Sequence, residues 1–261
     1  MNLTFALCIF LGIYFSAITI EALFSYHKHK GLYDFQDTLV NLTLGGIAVL
    51  VRTLTKGLWL ALWIFLYQFA PFKIANSVWS WILLFFCNEL IYYWFHRLSH
   101  ENSLLWAIHV NHHSSEKMNF SNAARVPFLN ILLHNIFWIP LLFIGFSPIM
   151  IFTVETIGFL FAFIQHTQMI RRLPYFDWIF NSPSHHRVHH ASNPEYVNKN
   201  YGSVLIIFDR IFGTFKDEDD RIQPKFGLTK NIVTYNLVKV IFHEWLVIIN
   251  IKGRVNKASK R

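Results

Sequence analysis

Residues 76–100 read NSVWSWILLFFCNELIYYWFHRLSH, an apolar run that leads directly into two histidines. Only Asn88 and Glu89 interrupt the apolar run. About twenty apolar residues in a helix span the roughly 30 Å hydrocarbon core of a bilayer. The stretch therefore predicts a membrane-spanning helix whose final turns carry His96 and His100.

Four further apolar runs indicate that the chain crosses the membrane several times. They cover residues 3–23, 38–70, 127–145 and 148–168. The chain is 54% hydrophobic and only 15% charged, whereas an ordinary soluble domain has about 25% charged residues. The first run lacks a basic leader and a small-residue cleavage site, so we expect a retained span rather than a signal peptide. Together these features predict an all-α, polytopic integral membrane protein.

The placement of basic residues predicts which side of the membrane carries the histidines. The stretch 38–70 contains two basic residues, so it is either one long span or two. The histidine-bearing loops are rich in Lys and Arg, whereas the turn at 145–148 has none. Because basic loops stay in the cytoplasm, one pass is favoured and the histidines face the cytoplasm. The net charge of +8 is attributed to this topology. No nucleic-acid partner is expected.

The chain divides into three segments. Residues 1–75 are predicted to form N-terminal transmembrane helices, and residues 76–217 a histidine-rich domain. A hairpin of two spans within that domain returns the chain to the same side, so both histidine-rich windows meet in one cytosolic cap. Residues 218–261 form a cytosolic C-terminal segment, in which 235–251 is predicted to be an interfacial amphipathic helix.

The histidines recur at spacings that place them on one face of a helix. His96 and His100 are four residues apart. Two later boxes share the spacing H-x-x-H-H, and they are His109, His112, His113 and His186, His189, His190. Residues three and four apart are neighbours on a helix surface. Each box can therefore direct two or three imidazoles toward one point.

Such a set of imidazoles predicts metal binding. A neutral imidazole needs partners for two ring nitrogens, and a metal on one with an acceptor on the other supplies both. Eight histidines exceed one coordination sphere, so two metals are implied. Imidazole suits zinc, copper, iron and nickel, and neither cysteine is placed to complete a structural zinc site. Redox chemistry on a lipid C–H bond is the favoured use. A divalent-metal carrier or transporter and a di-zinc membrane hydrolase are the alternatives.

The three boxes also carry a family resemblance. With QHT at 165–167, NSPSHHRVHHASNPEYVNKNYG at 181–202 and LIIFDRIFGTF at 205–215, they resemble the fatty acid hydroxylase/sterol desaturase superfamily. Within it they are most similar to the alkylglycerol monooxygenase-like branch and its bacterial relatives, over roughly residues 80–217. The resemblance adds His166 to the ligands and implies a cytosolic di-iron centre.

The same resemblance implies O₂-dependent hydroxylation or desaturation of a fatty acyl, alkyl or sterol-like lipid. An external electron donor, either a protein or a small reductant, is needed because no flavin, haem or nicotinamide motif is present in the sequence. Gln168 stands where members of the branch have Glu. Neither the substrate nor the reductant is therefore carried over from the resemblance.

Four further residues are expected to support the site. His185 is expected to lie behind the ligands, and Asn200 and Asp209 to accept hydrogen bonds from histidine N–H groups. Glu89 lies seven residues before His96, on the same helix face. An acid inside a membrane span is a functional candidate by default.

Overall fold

The computed structural model describes the backbone of residues 3–258 and the side chains of residues 9–250. The outermost residues of the predicted terminal segments lie outside this range. The α-helices of the described chain are α1 (Leu3–His27), α2 (Phe35–Tyr67), α3 (Val78–Glu101), α4 (Ser103–His113), α5 (Phe128–Ile144), α6 (Pro148–Gln165), α7 (Pro183–His190), α8 (Ile207–Phe212) and α9 (Leu237–Ala258). Residues 3–258 contain no β-strand, only two isolated bridges. The all-α prediction is confirmed.

Four of these helices are long and apolar enough to cross a membrane, namely α1, α2, α3 and α6. They correspond to four of the five predicted spans. The fifth, α5, has 17 residues and is shorter than the predicted run 127–145. At 1.5 Å per residue it measures about 25 Å, somewhat less than a hydrocarbon core. The protein is a multi-pass helical membrane protein.

The stretch for which one pass was favoured over two is a single helix, α2, of 33 residues. Asp34 begins it, because its carboxylate accepts the backbone N–H of Asp37 at 2.8 Å. The loop before α2 touches the segment after α4, since Lys117 Nζ donates to the Gly31 carbonyl at 2.9 Å. Both ends of the α2–α3 pair therefore lie on the histidine side of the molecule.

The hairpin of α5 and α6 turns at the opposite end. Gly145 closes α5 with φ of 108°, and an added Cβ would lie 2.7 Å from the Phe72 carbonyl oxygen. Only glycine fits this left-handed position against neighbouring backbone. The Ile74 N–H donates to the Gly145 carbonyl at 2.9 Å. The hairpin turn thus lies beside the α2–α3 loop, away from the histidines.

The main apolar core lies between α2, α3, α5 and α6. Trp63, Leu84, Trp138 and Ile151 meet there and are each no more than 1% exposed. By contrast, the outward faces of the same helices carry large exposed apolar side chains, as lipid contact requires. This core holds α3 in place, and α3 in turn carries the first two histidines out of the membrane-spanning part.

The C-terminal helix α9 begins two residues after the start of the predicted interfacial segment 235–251 and extends beyond its end. Among the residues whose side chains the structure describes, it is not one of the helices that could span a membrane. Val240 is fully buried against Val40 and Leu44 of α2, whereas Val238 and Leu246 are exposed. The helix therefore has one buried face and one exposed face. Its location in the membrane interface stays a prediction.

Candidate metal centre

The histidine boxes lie on three helices that end on one side of the molecule. His96 and His100 occupy the last turns of α3, as predicted from the continuous run. The box at 109–113 forms the end of α4, and the box at 186–190 the end of α7. His166 directly follows the last residue of α6. Two segments some ninety residues apart in sequence meet here, as the hairpin topology predicts.

Nine histidines form two compact groups. All nitrogen atoms that a metal would use lie within 4.8 Å of one another inside each group. The first group is His96, His100, His109, His113 and His189. The second group is His112, His166, His186 and His190. Every histidine predicted as a ligand belongs to one of the two groups.

Each H-x-x-H-H box serves both groups. On a helix the i and i+4 side chains nearly align, whereas the i+3 side chain points to the other flank. His109 and His113 accordingly join the first group, while His112 from the same box joins the second. In the other box His186 and His190 join the second group and His189 crosses to the first. The two boxes therefore form one interlocked assembly.

Distances between imidazole rings show how close the two H-x-x-H-H boxes lie. The ring centroids of His112 and His190 are 4.7 Å apart, and those of His113 and His189 are 4.8 Å apart. His113 also stacks on His190 at 4.3 Å, with the rings inclined by 23°. The two groups are thus adjacent, with imidazole rings filling the space between them.

Four of the nine histidines are oriented by a backbone carbonyl that faces Nδ1. These pairs are His96 with Tyr201 at 2.8 Å, His112 with Arg125 at 3.1 Å, His166 with Ala162 at 2.8 Å and His189 with Lys199 at 3.0 Å. A carbonyl can only accept, so each Nδ1 donates its hydrogen and Nε2 keeps a lone pair. This is the arrangement of histidines that bind metals through Nε2.

The expectation that Asn200 and Asp209 accept histidine N–H groups is wrong. Asp209 instead accepts the backbone N–H groups of Tyr201 and Gly202, both at 2.8 Å. Asn200 donates to the carbonyls of His185 and Lys216. The loop needs its backbone groups held, because Asn200 itself has a φ of 57°. Both residues shape the loop, and the loop carbonyls contact the imidazoles.

Burial keeps the imidazoles neutral. Loss of solvation lowers the pKa of His112 to about 4 and that of His166 to about 3. The same cause, followed by repulsion from neighbouring histidines, lowers the pKa of His113 and His190 well below the ordinary value. A metal ligand must be deprotonated. The site therefore presents neutral imidazoles near pH 7.

The ring nitrogens fit a bound cation. His186 Nε2 lies 3.0 Å from His166 Nε2 and 3.1 Å from His190 Nε2. Because His166 carries its hydrogen on Nδ1, its Nε2 is a lone pair directed at this point. In the first group, Nε2 of His96 and of His189 are buried with no hydrogen-bond partner among the described residues. Buried imidazole nitrogens that converge on one point are the environment that a divalent metal stabilises.

Three residues singled out in the sequence lie apart from both groups. His185 is fully buried, and its ring packs edge-on against Phe215 with centroids 5.3 Å apart. Glu89 accepts the N–H groups of Val204 and Leu205, both at 2.8 Å. It joins α3 to the loop before α8, and among the described residues no hydrogen bond or ion pair links it to a histidine of either group. Gln168 donates to the Met118 carbonyl at 2.8 Å.

Sequence reasoning missed the charged residues that support the site. Arg125 is 2% exposed, and its guanidinium donates to Asp37, Asn41 and the Asn111 carbonyl. It joins the start of α2 to α4, which carries three of the histidines. A buried arginine is hard to recognise from sequence, because a basic residue in a polar loop ordinarily indicates topology.

Arg187 has a similar supporting role within the last box. It pairs with Glu218 at 2.6 Å and donates to the Thr167 and Ile170 carbonyls. These bonds join α7 to the segment that follows His166. The acidic partner lies beyond the last box, at the start of the predicted C-terminal segment 218–261.

Comparison with known proteins agrees with this geometry. The sequence profile of the fatty acid hydroxylase family matches residues 81–214, about half of the chain.

The chain belongs to the fatty acid hydroxylase family.

Curated relatives of this chain include alkylglycerol monooxygenases. The human protein is 37% identical over 89% of this chain and 52% of its own length. The Danio rerio protein is 35% identical over 96% of this chain and 56% of its own length. The ornithine lipid hydroxylase of Rhizobium tropici is 34% identical over 54% of this chain and 43% of its own length. The chain thus spans about half the length of these relatives. No solved structure matches it significantly.

The predicted superfamily and branch are therefore confirmed. The matched residues 81–214 contain all nine histidines of the two groups. They exclude α1 and α2, which lie before the matched domain.

Proposed function

We propose that this protein is a membrane oxygenase that hydroxylates or desaturates a lipid C–H bond at a di-iron centre. The observation that carries the proposal is the division of nine histidines, seven of them buried, into two adjacent groups. Each group supplies enough nitrogen ligands for one metal ion. Membership in the fatty acid hydroxylase family supports lipid oxidation as the reaction.

When bound, the iron pair would supply the activation of O₂ that oxidation of an unactivated C–H bond requires. Hydroxylation places one oxygen atom in the lipid and releases the other as water, with two electrons and two protons from an external donor. The donor is a protein or a small reductant. The chain's own contribution is to hold neutral imidazoles in fixed orientations through the carbonyls of Tyr201, Arg125, Lys199 and Ala162.

The lipid substrate class is proposed from the relatives' names. One is named for alkylglycerols and another for ornithine lipid. Both are amphipathic lipids with a polar headgroup and an apolar chain. A multi-pass protein with its histidines at the ends of apolar helices suits such a substrate, which enters from the bilayer. We further propose that the histidines face the cytoplasm, since the basic loops lie on their side.

The two alternative functions receive no support from the site. A transporter would place its ligands near the bilayer midplane, usually with carboxylates. The histidines of this protein lie at or beyond the ends of the spans. A di-zinc hydrolase commonly uses Asp or Glu as ligands, and neither group contains a carboxylate among the described residues.

The proposal is tested by expressing the wild-type protein and the His190→Ala variant in a host under ¹⁸O₂ and analysing membrane lipids. We expect a lipid carrying one ¹⁸O atom, or one extra double bond, with wild type only. The variant keeps the helices but loses a ligand of the second group. A lipid profile that is the same in both strains would contradict the proposed reaction.

A further inference from the structure

Two buried carboxylates that lie outside the histidine groups each contact the backbone supporting one group. They are Glu21 of α1 and Asp209 of α8, and both are 0% exposed. Neither pairs with an arginine or lysine within salt-bridge distance among the described residues. Burying a carboxylate costs free energy unless hydrogen bonds stabilise it. The hydrogen bonds that stabilise each carboxylate show which group of histidines depends on that carboxylate.

Glu21 joins three separate segments. It accepts the hydroxyl of Tyr33 at 2.7 Å, the backbone N–H of Phe120 at 2.7 Å and the hydroxyl of Thr167. Thr167 immediately follows His166. Phe120 opens the short 3-10 helix Phe120–Ala124, which leads to Arg125. A single carboxylate therefore fixes the chain on two sides of the second group.

Both of these segments orient histidines of the second group. The carbonyl of Arg125 accepts the Nδ1 hydrogen of His112 at 3.1 Å. On the other side Thr167 fixes the backbone next to His166, whose Nδ1 faces the Ala162 carbonyl. Of the four histidines in the second group, the two that do not lie on α7 are thus connected to Glu21.

Asp209 does the same for the first group. Besides the N–H groups of Tyr201 and Gly202, it accepts the Thr214 hydroxyl at 2.7 Å. The loop that it holds presents the Tyr201 carbonyl to His96 and the Lys199 carbonyl to His189. Both histidines belong to the first group, and no hydrogen bond of Asp209 in the described chain reaches Arg125, Ala162 or Thr167.

We propose that Glu21 and Asp209 are positioning residues, each responsible for metal binding at one group of histidines. The inference rests on the proposed function, because it takes the two groups as metal sites. It makes α1 part of the metal centre, although this helix lies outside the domain that the family profile matches. The two sites then depend on different acids and fill independently.

Glu21→Gln and Asp209→Asn are matched tests, since both keep the side-chain volume. An amide offers one acceptor oxygen and turns an NH₂ group toward a former donor, so part of each network is lost. Loss of such outer contacts typically weakens metal binding by about 10- to 100-fold. We expect each purified variant to retain one tightly held metal where wild type holds two, measured by elemental analysis after chelator treatment.

Double variants identify which site has emptied. Combined with His112→Ala, Glu21→Gln should still leave one metal, because both changes affect the second group. Combined with His189→Ala or with Asp209→Asn, it should leave none. Thr19→Val is the control, since Thr19 is an exposed residue of the same helix whose hydroxyl donates to the Phe15 carbonyl, outside the Glu21 network, and it should retain both metals. Because elemental analysis needs no substrate, the result is independent of activity.

Specific outcomes would overturn the inference. The inference is wrong if Glu21→Gln releases its two metals at the wild-type rate. It is also wrong if the double variant Glu21→Gln with His112→Ala loses both metals. Where Glu21→Gln fails to fold, Thr167→Val removes a single hydroxyl, and release of one metal about tenfold faster is then expected. An unchanged rate in that variant would also overturn it. Wild type with fewer than two metals would instead contradict the proposed function, and the positioning roles with it.

Discussion

At the scale of single residues, His112 and His189 have the most informative positions. Each lies three residues after the first histidine of its box, and each belongs to the group that contains two histidines of the other box. The carbonyls of Arg125 and Lys199 hold their Nδ1 atoms, so both rings are fixed from outside the groups. A change at either position therefore affects a candidate metal site built mainly from other helices.

We predict that His112→Ala and His189→Ala each reduce product formation by at least about 100-fold, because each removes a ligand from a catalytic unit. Residues that act as one unit are not additive. The double variant should be no less active than either single one. Metal content distinguishes them, since each single variant should keep about one metal and the double variant none. Turnover of the lipid and elemental analysis on the same preparations measure both quantities.

His27→Ala is the matched control. His27 is exposed at the end of α1 and belongs to neither group. Activity and metal content should stay at the wild-type level. If His112→Ala or His189→Ala alone still binds two metals and keeps full turnover, the two boxes act separately.

At the scale of helices, continuity of α2 decides the topology. It runs from the histidine side to the far end without a break, and α3 returns to the histidine side. The hairpin of α5 and α6 likewise runs from the histidine side to the far end and back. Its turn contacts the α2–α3 loop through Ile74 and Gly145. The loop before α2 and the region after each histidine box therefore share one side.

This topology predicts the accessibility of introduced cysteines, in a chain with Cys8 and Cys87 replaced by alanine. Cysteines at Lys28 and Glu195, both exposed on the histidine side, should react with an impermeant thiol reagent only after cell lysis. A cysteine at the exposed Ala75 of the α2–α3 loop should react in intact cells. Labelling of Glu195→Cys from outside would reverse the proposed orientation.

At the scale of the whole molecule, neutral buried histidines make stability depend on pH. Their pKa values in the folded state lie below the ordinary value of about 6.5, as for His112 at about 4 and His166 at about 3. The unfolded chain therefore binds more protons than the folded one as pH falls below 6.5. Stability is then lost with decreasing pH, and the loss continues toward the folded-state pKa values.

We predict that the metal-free protein unfolds at a lower temperature at pH 5 than at pH 7. Bound metal should raise the unfolding temperature at both values, because a ligand that binds only the folded state stabilises it. Thermal unfolding in detergent, with and without chelator, measures this. A metal-free protein that is equally stable at both pH values would show that the histidines are not buried as neutral groups.

The sequence by itself determined the fold class, the nine candidate ligands and the family. Hydrophobic runs of about twenty residues have one stable solution in a bilayer, since the helix satisfies every backbone group internally. Histidine spacing is equally local, because i, i+3 and i+4 fix the direction of side chains on one helix. The fold class and eight of the ligands follow from periodicity along the chain, whereas His166 and the family come from the resemblance of the motifs.

Only the tertiary structure decided how the ligands divide and what supports them. Spacing separates His112 and His189 from the other members of their boxes, but the group that each joins depends on how the helices pack. The supporting acceptors are backbone carbonyls of loops, and any residue type can supply a carbonyl, so sequence carries no sign of them. Asn200 and Asp209 were recognised as important but assigned to the wrong partners for this reason. Glu21 is more than ninety residues from Phe120 and Thr167 in the sequence, and folding alone brings them together.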